Sequence, residues 1–211
     1  MIQSPRAGVL ALAVLLCGVS SAATIGNPIV ERSTIDTCNG CSFAISTPFT
    51  TPGQLTTWSF WADVTGLSLT PLIYQNTGSN FVISGIGSTV TVSSLGAQTY
   101  AFGLQSGSDL VNANFYFGYR DGTTEGANQG TIPFTDSASG ALQYYFGDGA
   151  GGPNADPFVG ETMTLGTFNG GLLDRNYSIQ ATSTESAVPE PSTWLLMAGG
   201  FSAVLLRRRK R

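Results

Sequence analysis

Hydrophobic and polar residues alternate with a period of two through most of the middle of this chain. Trp58, Phe60, Ala62 and Val64 share one side of an extended segment, and Trp61 must point to the opposite side. A period of two is the side-chain repeat of a β-strand. Similar runs, rich in β-branched and aromatic residues, lie at Ser42–Phe49, Leu67–Gln75, Phe81–Ile86, Thr89–Ser94, Gln98–Leu104, Phe115–Tyr119, Ala141–Phe146, Thr162–Phe168 and Tyr177–Ala181.

Turn-forming Gly, Asn and Ser residues separate these runs, and no helical period interrupts them. About ten short strands in such an order predict an all-β fold, a single β-sandwich or jelly roll, over residues 24–181. Residues 182–187 are rich in Ser and Thr and are expected to form a short linker.

The N-terminal 23 residues have the order typical of a secretory signal peptide. Arg6 precedes an apolar run, Ala7–Val19, and small residues follow at 20–23. We expect cleavage after Ala22 or Ala23 and export through the secretion machinery. A buried or membrane-spanning helix is the alternative, although the run is short for a span of about 20 residues.

The C-terminal residues 188–211 combine a proline-rich junction, an apolar segment and a basic end. The prolines keep the junction extended and outside any helix interior. The apolar segment Trp194–Leu206 predicts a short membrane helix, and the basic end would stay on the cytoplasmic side. The junction residues are Val188, Pro189, Glu190 and Pro191, and the basic residues are Arg207, Arg208, Arg209, Lys210 and Arg211.

The predicted membrane helix is shorter than a bilayer. Its thirteen residues would extend about 20 Å, whereas the hydrocarbon core is about 30 Å thick. Gly199 and Gly200 weaken it further. A segment of this kind is better suited to a temporary anchor than to a permanent one.

The ordered C-terminal combination resembles the PEP-CTERM sorting signal, whose core tripeptide would be Pro189-Glu190-Pro191. Proteins with this signal are substrates of exosortases, membrane-embedded cysteine transpeptidases linked to exopolysaccharide production. The resemblance covers about residues 187–211. It implies an exosortase-type processing partner, cleavage near the motif, transient anchoring in the inner membrane, and delivery to the cell surface or extracellular matrix.

Charge is sparse and unevenly distributed. Only 10% of residues are charged, and thirteen acidic but three basic residues lie between Arg6 and Arg207, a balance of −10. This balance argues against nucleic-acid binding, which requires clustered basic residues. The chain has no His, and Lys210 is its only Lys. Catalysis through Ser-His-Asp, Cys-His or a Lys Schiff base is therefore excluded from the body of the protein.

Cys38 and Cys41 enclose an Asn-Gly pair. Export places them in an oxidising compartment, where a pair of cysteines usually forms a disulfide. A thioredoxin-like redox site and a metal site are the alternatives, but the first needs a strand-to-helix context and the second lacks further ligands.

Two acidic stretches are candidates for calcium binding because they place several side-chain oxygens on loops. Their spacing does not match an EF-hand, and solvated Asx turns are the alternative explanation. The candidate ligands are Asp121, Glu125, Asn128, Asp148 and Asp156. No other cofactor is expected.

The β-domain is expected to be non-catalytic, with a structural or glycan- and matrix-binding role. Trp61 is the best candidate for an exposed residue that stacks on a sugar, or for a residue beneath a loop. Two alternatives remain open: a secreted hydrolase that uses a pair of carboxylates on polysaccharide, and a self-assembling adhesin or coat subunit.

Overall fold

Antiparallel strands make up the regular structure of the part of the chain that the computed structural model describes. That part comprises residues 22–36, 40–78, 80–122, 130, 132–137, 139–146, 156–164 and 171–185. This part contains no helix. It therefore contains no helix that is long and apolar enough to cross a membrane. The all-β prediction is confirmed. The short C-terminal helix that the sequence predicts lies outside the described residues.

Seventeen strands run along these residues. In chain order they are β1 (Ala22–Gly26), β2 (Thr34–Ile35), β3 (Ser42–Ile45), β4 (Gly53–Ala62), β5 (Ser68–Asn76), β6 (Asn80–Ile86), β7 (Val90–Thr91), β8 (Gly96–Ala101), β9 (Ser106–Gly107), β10 (Leu110–Val111), β11 (Phe115–Gly122), β12 (Pro133–Asp136), β13 (Gln143–Tyr145), β14 (Thr162–Thr164), β15 (Gly171–Leu173), β16 (Arg175–Tyr177) and β17 (Ile179–Glu185).

The strands form three sheets. A five-stranded sheet has the order β1-β17-β4-β10, and β8 also pairs with β4. A nine-stranded sheet has the order β14-β6-β5-β11-β3-β13-β15, with β7 and β9 at its side on β5 and β6. A small sheet, β16-β12-β2, completes the set. Every pairing is antiparallel, as expected for strands joined by short turns.

The main core lies between the five-stranded and nine-stranded sheets. Trp58, Phe60 and Ile179 project from the first sheet, and Phe43 and Phe117 project from the second into the same cluster. All five are at most 1% exposed. Full burial of such side chains contributes about 1.5–3 kcal/mol each, so this interface supplies much of the driving force for folding. The arrangement is consistent with the predicted β-sandwich.

The nine-stranded sheet is apolar on both faces. Its outward side carries a second cluster in which Tyr74, Phe81 and Phe146 are buried and Tyr116 and Tyr144 are partly exposed. This explains why β5 is buried at six consecutive positions, whereas β4 alternates. A strand with two covered faces has a continuous hydrophobic run rather than a period of two.

The two ends of the described domain are paired strands. β1 lies along β17, with Ala22 opposite Thr184 and Thr24 opposite Thr182. The expected cleavage site therefore falls within β1. Strand β17 continues to Glu185, so four of the six residues expected in the linker belong to this strand.

Candidate functional site

The outward side of the five-stranded sheet presents hydroxyl and amide groups in register. We call this surface the hydroxyl face. Thr57 lies between Thr182 and Ala101, and Ser59 lies between Gln180 and Thr99 in the next row. Inward-pointing neighbours alternate with them along β4 and fill the core. The polar members are Thr24, Thr57, Ser59, Thr99, Gln180 and Thr182.

Hydrogen bonds between strands order the side chains of this face. The hydroxyl oxygens of Ser59 and Thr99 are 2.8 Å apart, and those of Thr24 and Thr182 are 3.2 Å apart. A hydroxyl has one donor and two acceptor positions, so each pair keeps hydrogen-bonding capacity toward solvent. The face is thus a partly pre-ordered array of neutral donors and acceptors.

Trp61 lies at one end of the hydroxyl face. It is partly exposed, whereas Trp58, Phe60 and Ala62 are fully buried, which confirms the predicted opposite orientation. Its indole Nε1 donates a hydrogen bond of 3.0 Å to Asp63 Oδ1, and this contact fixes the ring. The aromatic ring and the polar rows together form a surface suited to a sugar chain.

A second polar cluster, centred on Asp36, lies at the small sheet. The Asp36 carboxylate accepts a hydrogen bond of 2.8 Å from Arg175 Nη1 and another from the Tyr177 hydroxyl. The Arg175 guanidinium also lies 4.3 Å above the Phe134 ring and 3.7 Å from Asp136. These contacts join β2, β12 and β16, so the cluster has a structural role.

Burial raises the pKa of two tyrosines near this cluster. It raises the pKa of Tyr177, and the charge of Asp36 and its hydrogen bond raise that pKa further. Burial also raises the pKa of Tyr119 well above its ordinary value, with a smaller contribution from Tyr177. Both side chains therefore remain neutral hydroxyls at physiological pH and serve as donors or packing groups.

The structure describes two of the five candidate calcium ligands and places them in different environments. Asp121 is 3% exposed and pairs with Leu69 within β11, and its amide donates to Cys41 O at 2.9 Å. Asp156 is exposed. Glu125, Asn128 and Asp148 lie outside the described residues. Within the described part, no group of three or more acidic or Cys side chains is arranged to hold a metal ion.

Cys41 is fully buried and disulfide-bonded. Its sulfur lies 3.5 Å from the Tyr145 hydroxyl, beside the ring of Phe43 that Tyr145 also contacts. The expected partner, Cys38, lies outside the described residues. Cys41 lies directly before β3 and belongs to the main core cluster.

Sequence reasoning found Trp61 but missed the rest of the hydroxyl face and the Asp36 cluster. The face is assembled from strands far apart in the chain, since Thr24 and Thr182 are 158 residues apart. One signal was present: the polar positions of β4 that alternate with its core residues are Thr and Ser rather than charged residues.

The sorting residues 188–191, the segment 194–206 and the basic residues 207–211 lie outside the described residues, and comparison with known proteins supplies one finding on this part of the chain. Residues 187–210 match the model of one family, the PEP-CTERM protein-sorting motif. The predicted resemblance is thereby confirmed. No curated protein and no solved structure matches the chain.

Proposed function

We propose that this exported, PEP-CTERM-bearing protein is a non-catalytic polysaccharide-binding module of the cell surface or extracellular matrix. In this proposal an exosortase-type enzyme cleaves the chain near Pro189-Glu190-Pro191 and removes the temporary anchor. The hydroxyl face then binds the polysaccharide, with Trp61 stacking on a sugar ring.

The observation that carries the binding proposal is the composition of the hydroxyl face beside Trp61. Sugars present apolar C–H faces and a rim of hydroxyls, and a partly exposed indole next to ordered Ser, Thr and Gln side chains complements both. Because the Trp61 ring is already held by Asp63, little side-chain entropy is lost on binding.

The hydroxyl face is also long enough for more than one sugar unit. Thr57 and Trp61, in its two outer rows, are four residues apart on β4, which corresponds to about 13 Å along the strand. The chain continues toward its sorting signal from Glu185, which pairs with Gly53 at the end of the sheet away from Trp61. Trp61 and Glu185, the last described residue, thus lie at opposite ends of β4.

Binding is tested with the full chain in detergent micelles and soluble polysaccharides of several classes. Trp61→Ala should weaken binding roughly 10- to 30-fold, as expected for loss of an aromatic ring that stacks on the ligand. Trp61→Phe should retain part of it. Leu110→Ala is the matched control, because Leu110 is 60% exposed on the same sheet at the other end of β4. Equal affinities of Trp61→Ala and the unmodified chain would contradict the proposal.

Processing is tested by mass spectrometry of the mature protein from its native cell. The expected product lacks residues 192–211, and Glu190→Ala should accumulate with this tail still attached. Detection of the tail in the mature protein would refute cleavage at the motif and leave the binding proposal standing. The hydrolase and coat-subunit hypotheses stay predictions, for which turnover of the bound polymer and self-assembly are the respective assays.

A further inference from the structure

We infer that the hydroxyl face selects uncharged polysaccharides and discriminates against polyuronates. This inference rests on the proposed function and specifies its ligand class. It follows from the distribution of charge around Trp61 and from the hydrogen-bonding groups that the face offers.

None of the outward-pointing side chains of β1, β4, β8 and β17 in the rows from Thr57 to Trp61 is charged. The charge in contact with Trp61 is negative, since the Asp63 carboxylate accepts the hydrogen bond of the indole nitrogen. A uronate carboxylate bound on this ring would approach the Asp63 carboxylate, and the rows beside it contribute no basic side chain. Like charges brought together at a binding surface oppose association.

The basic residues of the described domain are all placed elsewhere. Arg175 is bound to Asp36 at the small sheet. Arg32 donates to Thr135 Oγ1 at 3.0 Å and to the Pro28 carbonyl at 3.5 Å. Arg120 is 4% exposed and belongs to β11 of the nine-stranded sheet. None of them lies in the five-stranded sheet, so the hydroxyl face lacks the bidentate guanidinium contacts by which proteins usually recognise carboxylates.

The groups that the face does offer match neutral sugar hydroxyls. Gln180 is partly exposed between Ser59 and Gly26. Its side-chain amide makes no hydrogen bond to any other described residue. An amide supplies both donors and an acceptor, and a sugar hydroxyl can use either. Strand pairing places Gln180 one row from Trp61, about 7 Å along the sheet. A chain stacked on Trp61 therefore meets an unused neutral polar group.

The test compares a neutral β-glucan with a polygalacturonate of matched length, both binding to the full chain in detergent micelles. At low salt we expect the neutral polymer to bind at least about tenfold more tightly. Its affinity should change little with salt, while the difference between the two polymers should narrow as added salt screens the repulsion.

Charge variants supply the decisive comparison. Thr99→Lys adds a cation at an exposed position of the hydroxyl face and should raise the affinity for polygalacturonate roughly two- to fivefold. Leu172→Lys makes the same change in net charge on the nine-stranded sheet, where Leu172 is 51% exposed, and should leave that affinity unchanged.

Three results would overturn the inference. Equal or tighter binding of polygalacturonate to the unmodified chain, with Trp61→Ala still weakening it, would refute neutral selectivity but keep the proposed function. Equal effects of the two Lys variants would show that net charge, rather than the hydroxyl face, controls selection. Absence of binding to either polymer, or binding insensitive to Trp61→Ala, would reject the proposed function and the inference with it.

Discussion

Alkaline pH should destabilise the domain through three buried tyrosines. Tyr74, Tyr119 and Tyr177 are each at most 2% exposed, and burial raises the pKa of all three hydroxyls. In the unfolded chain a tyrosine has a pKa of about 10. Above this pH the unfolded chain loses protons that the folded domain keeps, so the free energy of unfolding must fall. The stabilising effect is complete below pH 10 and is lost as pH rises through the raised folded-state pKa values.

The magnitude follows from linkage. Between pH 10 and 11 each buried tyrosine should contribute a loss of about 1 kcal/mol, because the unfolded side chain ionises and the folded one does not. Three such residues give about 3 kcal/mol, a large fraction of the 5–15 kcal/mol typical of a domain. The sequence has no His and a single Lys, so few groups titrate between about pH 6 and 9. The free energy of unfolding should therefore change little over that range.

The assay is urea unfolding at fixed pH values from 7 to 11, followed by fluorescence, with tyrosine ionisation followed in parallel by ultraviolet absorbance. Tyr119→Phe removes one titrating group and should reduce the alkaline slope by about one third, whatever its effect at pH 7. A midpoint that stays constant from pH 9 to 11, or ionisation of all seven tyrosines near pH 10 in the folded protein, would refute the reasoning.

Two further predictions concern close packing and buried hydrogen bonds. Gly118→Ala would place Cβ 2.2 Å from a backbone oxygen of β3 and 2.4 Å from Tyr74 Cε2, so we expect about 1–3 kcal/mol of destabilisation in urea unfolding. Gly122→Ala on the same strand, with its nearest atom 3.3 Å away, is the control, and equal costs would disprove the packing argument. Asn27→Ala removes two amide donors and the acceptor of the Ala141 amide, and should cost about 2–4 kcal/mol; a loss below 0.5 kcal/mol would contradict it.

The longer strands were predictable because local sequence determines them. Burial alternates strictly from Thr57 to Ala62, since one side of β4 faces the core and the other faces solvent. The Leu67–Gln75 prediction coincides closely with β5, Ser68–Asn76, although its run is continuous because both sides are covered. Strong β-propensity and flanking turn residues were sufficient in both cases.

Short strands and distant contacts were not predictable in the same way. β2, β9 and β10 have two residues each, too few to show a period. The Asp36 cluster joins residues 139 and 141 positions apart, and nothing local indicates that Arg175 and Tyr177 will meet that carboxylate. Asp121 was expected on a loop as a candidate calcium ligand, but pairing with Leu69 keeps it within β11.

The pairing of β1 with β17 has a consequence for the timing of export. A protein that crosses a membrane from its N-terminus delivers β1 first, yet the partner of Thr24 is Thr182 near the end of the domain. Until β17 has crossed, β1 has no neighbouring strand in its sheet, and β4 lacks the strand that separates it from β1. The five-stranded sheet can therefore close only after residue 185 has crossed. Topology thus delays closure of this sheet, and the hydroxyl face is first complete when the whole domain has crossed.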